Sequence, residues 1–193
     1  MQDRPIGERG RAILEAAGVT HRGKQRLAES KLERVREAID AELARLCATC
    51  AARRPGDGRE LVVVPAAACT YCGGSANARA VRELVESCKR AGVRRLVVVG
   101  GSPSVRQDLA ERLGALELRL IDGTERRTAA EARGDVGWAD LLVVCGASEL
   151  SHKISRLYTR DERARRKLVT ASRRGVEAIA GAVVEQLRRK RES

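Results

Sequence analysis

Residues 96–103 read Leu-Val-Val-Val-Gly-Gly-Ser-Pro. Four consecutive apolar residues, three of them β-branched, suit a strand covered on both faces, as in a parallel sheet. Gly100-Gly101 ends the run. Ser102-Pro103 then supplies a helix cap and a first-turn proline, and the helix so opened carries Val105, Leu109 and Leu113 on one face. The pattern recurs downstream, where Leu116–Ile121 ends at Asp122-Gly123 and Leu141-Leu142-Val143-Val144-Cys145 ends at Gly146. Between those two runs, Thr128-Ala129-Ala130-Glu131 is a capping box opening another helix. Upstream, residues 76–91 place Val81, Leu84, Val85 and Cys88 on one helical face and stop at Gly92, a C-terminal helix signal. Strands alternating with helices of about ten residues predict βαβ units and a small parallel, Rossmann-like α/β sheet with flanking helices.

In such a sheet ligands bind beyond the carboxyl ends of the strands. Those ends carry Gly100-Gly101-Ser102, Asp122-Gly123-Thr124 and Gly146-Ala147-Ser148, and His152, one of two histidines, follows the third. The functional reading is an anion or nucleotide crevice lined by Ser102, Asp122, Thr124, Ser148 and His152, with Asp122 and His152 the candidates for chemistry. The same residue types are also the ordinary turn and capping residues of any βα unit, and that reading stays open beside the first. Neither G-x-G-x-x-G nor G-x-x-x-x-G-K-[ST] occurs in the chain, so the dinucleotide fingerprint and the P-loop are excluded.

Before the α/β region come Cys47-x-x-Cys50 and Cys69-x-x-Cys72, with eighteen residues between the pairs. That spacing belongs to four-cysteine zinc sites. A two-residue gap lets one turn aim two sulfurs at a single ion, and two such turns complete a tetrahedron. One structural Zn2+ per chain is expected, with Leu61–Val64 as the strand joining the pairs. Cys88 and Cys145 fall on core positions and read as inert buried thiols. Gly73-Gly74 leaves the second pair toward Ser75, Asn77, Arg79 and Arg82, a second candidate phosphate contact, which N-capping by Ser75 explains equally well.

Two outer segments complete the pattern. Leu32, Val35, Ile39, Leu43 and Leu46 recur at helical spacing and predict a helix over about 24–46. Leu168, Val176, Ile179, Val183 and Leu187 do the same over about 161–191. The expected organisation is an N-terminal helical segment (1–46), a zinc module (47–75), a Rossmann-like domain (76–157) and a basic C-terminal helix (158–193). The last 36 residues hold eleven basic against five acidic side chains, half of the net charge of +12. Clustered positive charge attracts polyanions. Arg165, Arg166, Lys167, Arg173, Arg174, Arg188, Arg189, Lys190 and Arg191 are therefore expected to face outward toward phosphates, together with Arg79 and Arg82. Aromatic residues are 2% of the chain, with no Phe, which argues against base stacking as the mode of recognition. The hydrophilic start has no apolar core of a signal peptide and no stretch suits a membrane span, so a cytoplasmic protein without membrane contact is expected.

The motifs Val97-Val98-Val99-Gly100-Gly101, Asp122-Gly123, Ala139-Asp140 and Ser151-His152 give residues 95–157, about a third of the chain, a likeness to one family. The segment resembles a small bacterial Rossmann-like family, domain of unknown function twenty-three twenty-five. The resemblance implies a Rossmann-like fold and makes Gly100, Gly101, Asp122, Ser151 and His152 the positions of interest. It implies no activity.

Three functions follow as expectations. The leading one is a zinc-containing accessory or regulatory protein that binds the backbone of DNA or structured RNA. The alternative is an enzyme or sensor for a nucleotide or other phosphorylated ligand in the strand-end crevice. The third is an assembly subunit or homo-oligomer using the amphipathic helices.

Overall fold

The helix expected over 24–46 breaks at Glu42. In the computed structural model, which describes residues 6–53, 57–147, 150–160 and 162–192, helices α1 (Ile6–Ala16) and α2 (Leu32–Glu42) are followed by strand β1 (Leu43–Leu46). Leu43 and Leu46 keep the helical phase of Leu32, Val35 and Ile39, yet they pair in parallel with β2 (Glu60–Val63), Leu43 opposite Glu60 and Leu46 opposite Val63. A distant strand partner outweighs local helical phase, the usual way tertiary context overrides propensity. Helix α3 (Ala48–Arg53) leads from β1 toward β2. Helix α1 packs on α2, with Gly10 facing Ile39, where a Cβ would stand 3.8 Å from Ile39 Cδ1, an ordinary contact.

The chain divides into two units, residues 1–75 and 76–193. The β1–β2 pairing merges the N-terminal helices with the cysteine module, and the C-terminal residues supply a strand to the main sheet.

The second unit runs α4 (Ala76–Arg90), β3 (Arg95–Val99), α5 (Pro103–Arg112), β4 (Glu117–Ile121), α6 (Ala129–Trp138), β5 (Leu141–Cys145), α7 (His152–Thr159), α8 (Glu162–Arg165), β6 (Leu168–Ala171) and α9 (Val176–Glu192). Its four strands lie in the order β4-β3-β5-β6, all parallel. This is the Rossmann-like α/β architecture expected. The strand alternation divides the core cleanly. Leu96, Val98, Val143 and Cys145 face one layer with Leu84 and Cys88 of α4, Leu109 of α5 and Ile179 and Val183 of α9. Val97, Val99, Leu142 and Val144 face the other, with Val136 of α6 and Tyr158 of α7. Each fully buried Val or Leu contributes about 1.5–3 kcal/mol, so the sheet is the main source of the unit's stability.

The single helix expected over 161–191 is instead α8, β6 and α9. Leu168 lies in phase with Val176, Ile179, Val183 and Leu187, but residues 168–171 pair with β5, Leu168 opposite Leu142. Gly175, at φ +98°, turns the chain from this strand into α9. The caps read from sequence are present. Ser102 Oγ accepts the Val105 amide with Pro103 at the first helical position, and Thr128 and Glu131 form the full capping box. At the amino end of the sheet, Asp140 Oδ2 accepts the backbone amides of Arg94 and Arg95, each at 2.9 Å, which holds the start of β5 against the start of β3.

Candidate functional site

In the first unit β1 ends directly at Cys47, α3 carries Cys50, and a turn after β2 carries Cys69 and Cys72. Val64 N–H donates to the Leu46 carbonyl, and the Thr70 amide and hydroxyl both donate to the Arg45 carbonyl. These bonds bind the second cysteine turn to the strand that delivers the first. Gly73 N–H closes on the Cys69 carbonyl, and Gly73 and Gly74 continue at φ +53° and +84°, a backbone course that favours glycine.

The four sulfurs lie within 4.8 Å of one another and all four residues are buried. Cys47 Sγ and Cys72 Sγ stand 3.8 Å apart. A disulfide requires about 2.05 Å, and all six cysteines are free. A tetrahedron with metal–sulfur bonds of about 2.3 Å has edges of about 3.8 Å, so the donor set fits a four-coordinate thiolate ion. Burial resists ionisation at Cys69, yet the backbone amides of Cys47, Cys72 and Tyr71 outweigh it and bring the thiol down to about 6. Burial and its sulfur neighbours push Cys50 up to about 12. A cluster of this kind can hold a metal ion, and four protein ligands leave no open position for substrate.

In the second unit the strand order changes direction at β3 and β5: β4 is laid down on one side of β3 and β5 on the other. Open α/β sheets take ligands at that switch point. A cavity of about 290 Å³ lies there, formed by Gly101 and Ser102 after β3, Asp122 and Thr124 after β4, Cys145 at the end of β5 and the Arg173-Arg174-Gly175 turn before α9. Gly100 and Gly101, at φ +88° and +87°, carry the chain from β3 into α5. A Cβ on Gly101 would sit 3.6 Å from Val105 Cγ1 and 4.0 Å from Cys145 Sγ.

Arg106 spans the cavity wall, donating to the Gly101 carbonyl and to Asp122 Oδ2, each at 2.5 Å. Asp122 Oδ1 accepts the Thr124 amide at 2.8 Å and its hydroxyl at 2.7 Å. The Thr124 bonds, with the Arg106 charge behind them, hold this carboxyl below its usual range. Arg174 Nε donates to the Ala147 carbonyl at 2.6 Å. Arg173 is exposed and engages no partner among the described residues.

Of the predicted crevice residues, Gly101, Ser102, Asp122 and Thr124 line this cavity, and Gly100 precedes it in the β3–α5 turn. Ser151 N–H donates to the Gly123 carbonyl, which sets the start of α7 beside the end of β4. His152 is the exposed first residue of α7 and does not line the cavity. Ser148 lies outside the described residues.

Sequence reasoning missed Arg106, Cys145 and the Arg173–Gly175 turn as cavity residues. Arg173 and Arg174 were expected on an outer helix face; they precede α9 in a turn and line the cavity. The available signal was the short run Leu-Val-Thr-Ala ahead of Ser-Arg-Arg-Gly, a fourth strand-then-glycine pattern.

Lys167 is half-buried, its Nζ donating to the Ala139 carbonyl at 2.6 Å. Arg165 Nε donates to the Thr159 carbonyl and Arg166 pairs with Glu162. Arg188 and Arg189 both pair with Glu185, Arg191 is exposed, and Lys190 Nζ reaches the Arg166 carbonyl at 2.9 Å. Arg79 is half-buried and Arg82 exposed on α4, in the second unit, whereas Ser75 closes the first.

No family model, curated protein or solved structure matches the chain. No helix is long and apolar enough to cross a membrane among the described residues.

Proposed function

We propose that the chain is a zinc-stabilised, Rossmann-like protein that binds a phosphorylated small ligand at the switch point of its parallel sheet. The observation that carries this reading is the cavity bounded by Arg106, Arg173 and Arg174 beyond the carboxyl ends of β3, β5 and β6. Cationic side chains and a helix start at the mouth of a closed strand layer are the means by which α/β folds hold phosphate. Zinc is the ion assigned to Cys47, Cys50, Cys69 and Cys72, because four thiolates in a closed tetrahedron suit it best. Its role is to hold the first unit folded. Asp122 lines the cavity and His152 does not, so the pair named for chemistry is not brought together there, which favours binding or sensing over turnover.

The test is calorimetric titration and thermal shift of the intact protein with nucleoside phosphates and inorganic phosphate, alongside elemental analysis. Binding of a phosphorylated compound that is lost in Arg173→Gln, with one zinc per chain, supports the proposal. Absence of any response across the panel sinks it.

A second reading is contact with the backbone of DNA or structured RNA. Its support is the Lys190–Arg166 bond, which brings the basic end of α9 beside α8, so that Arg165, Arg166, Arg188, Arg189 and Arg191 lie in neighbouring elements. Its signature is affinity falling steeply with salt. Salt-insensitive binding, or none, overturns it.

A further inference from the structure

We infer that the cavity takes a ribonucleotide in one orientation, with a ribose hydroxyl on Asp122 Oδ2 and the phosphate at the opposite end, against Arg173 and the first turn of α9. The inference rests on the phosphorylated-ligand reading above and specifies what that ligand is.

The two helix starts at the cavity are chemically unequal. At α5, Pro103 brings no N–H to the first turn and the Ser102 hydroxyl already takes the Val105 amide. That end has little to offer an anion. At α9 the cap position falls on Gly175, whose carbonyl accepts the Ile179 amide and which has no side chain to occupy the first-turn amides. Those amides have no intrahelical acceptor, and they carry the positive end of a seventeen-residue helix whose first-turn acid, Glu177, is exposed and does not line the cavity. Arg173 and Arg174 precede them directly. A phosphate therefore belongs at the β6–α9 side, away from the first βα turn where dinucleotide folds place it.

Asp122 lies at the other side, after β4 and twenty-one residues beyond Gly101. A carboxylate offers about four acceptor positions. The Thr124 amide and hydroxyl fill the two on Oδ1, and Arg106 takes one on Oδ2. One position on Oδ2 is left among the described residues. It accepts and cannot donate, so it selects a hydroxyl and rejects a second phosphate oxygen. Arg106 fixes the carboxylate in place by its simultaneous bond to the Gly101 carbonyl. The volume of about 290 Å³ sits at the small end of ligand pockets, about 300–1,000 Å³, which fits one sugar phosphate with its base at the mouth.

The experiment is titration calorimetry of the full chain with AMP, GMP, CMP and UMP, with their 2′-deoxy and 3′-deoxy counterparts, and with inorganic phosphate. At least one ribonucleotide is expected to bind, and removing one of its two hydroxyls to weaken it about tenfold or more, the effect of a hydrogen bond to a charged group. Asp122→Ala should abolish that preference, and Arg173→Gln should weaken ribo and deoxy forms alike. Equal binding of ribo and both deoxy forms to the unmutated protein overturns the orientation and leaves the phosphorylated-ligand reading standing. Inorganic phosphate binding as tightly as every nucleotide does the same. Failure of every probe overturns both. The unmutated comparison decides even if Asp122→Ala does not fold.

Discussion

The hydroxyl of Tyr158 donates to Asp135 Oδ2 at 2.7 Å inside the second unit, where Asp135 is 3% exposed. Arg127 donates to the same carboxylate oxygen and to the Tyr158 oxygen, and Arg119 reaches Oδ1 at 3.2 Å. One buried carboxylate thus joins β4, α6 and α7. Removing one member of a buried ion pair costs about 3–5 kcal/mol because its partner is left uncompensated. Asp135→Ala is expected to fall in that range. Tyr158→Phe keeps the ring and loses two hydrogen bonds, one donated to Asp135 and one accepted from Arg127, for about 1–3 kcal/mol. Urea unfolding of the two variants checks the order, and equal losses would show that the carboxylate is not the centre of the network.

The same pair sets an alkaline limit. Burial, and then the Asp135 carboxylate, push the Tyr158 hydroxyl above its ordinary range. A group with a raised folded value stabilises the fold below its unfolded value, here about 10, and loses that contribution as pH rises further. Stability of the unmutated protein should therefore decline above pH ~10 more steeply than that of Tyr158→Phe. Parallel slopes between pH ~9 and ~11 would contradict this.

Gly175→Ala isolates backbone strain. No atom lies within 4 Å of the position a Cβ would take, yet φ is +98°. The cost is expected at about 1–2 kcal/mol, the left-handed penalty for an L-residue, with no cavity or clash to add to it. Gly7→Ala, in α1 and equally unobstructed, is the matched control and should be neutral or slightly stabilising. A melting temperature unchanged by Gly175→Ala would show that the strand-to-helix turn has freedom to relax.

Metal removal should act on one unit alone. The buried cluster around the cysteines is completed by Leu46 and Tyr71, with Ala51 and Val64 against it. With zinc in the cluster, as proposed, a core of this size depends on the ion, since structural zinc supplies about 10–16 kcal/mol of binding free energy. Cys69→Ser or a strong chelator should abolish the transition of residues 1–75 and leave that of residues 76–193 in place. Loss of both transitions together would refute independent behaviour.

Most of the sheet was legible because β3 and β5 are continuous apolar runs ended by glycine, because β4 alternates leucines with Glu117 and Arg119 before Asp122-Gly123, and because Ser102 and Thr128 are unambiguous caps. The two misread segments share one physical cause. Leu43 and Leu46 lie in helical register with α2, and Leu168 with α9, but each falls in a four-residue strand whose hydrogen-bond partner is far away in sequence. Periodicity cannot register a distant partner. The candidate site followed the same division. Gly101, Ser102, Asp122 and Thr124 were readable at the ends of recognised strands, whereas Arg173 and Arg174 stayed hidden while β6 was counted as helix. The four-cysteine cluster was fully readable, because its chemistry depends on residue type and spacing alone.

The guanidinium of Arg119 lies 4.1 Å from the ring centre of Trp138, the chain's one tryptophan. The protein thereby carries a native fluorophore whose emission registers the electrostatics of a single locus. Any event that shifts Arg119 relative to Asp135 will alter indole brightness or colour, so the second unit can be followed optically with no dye attached.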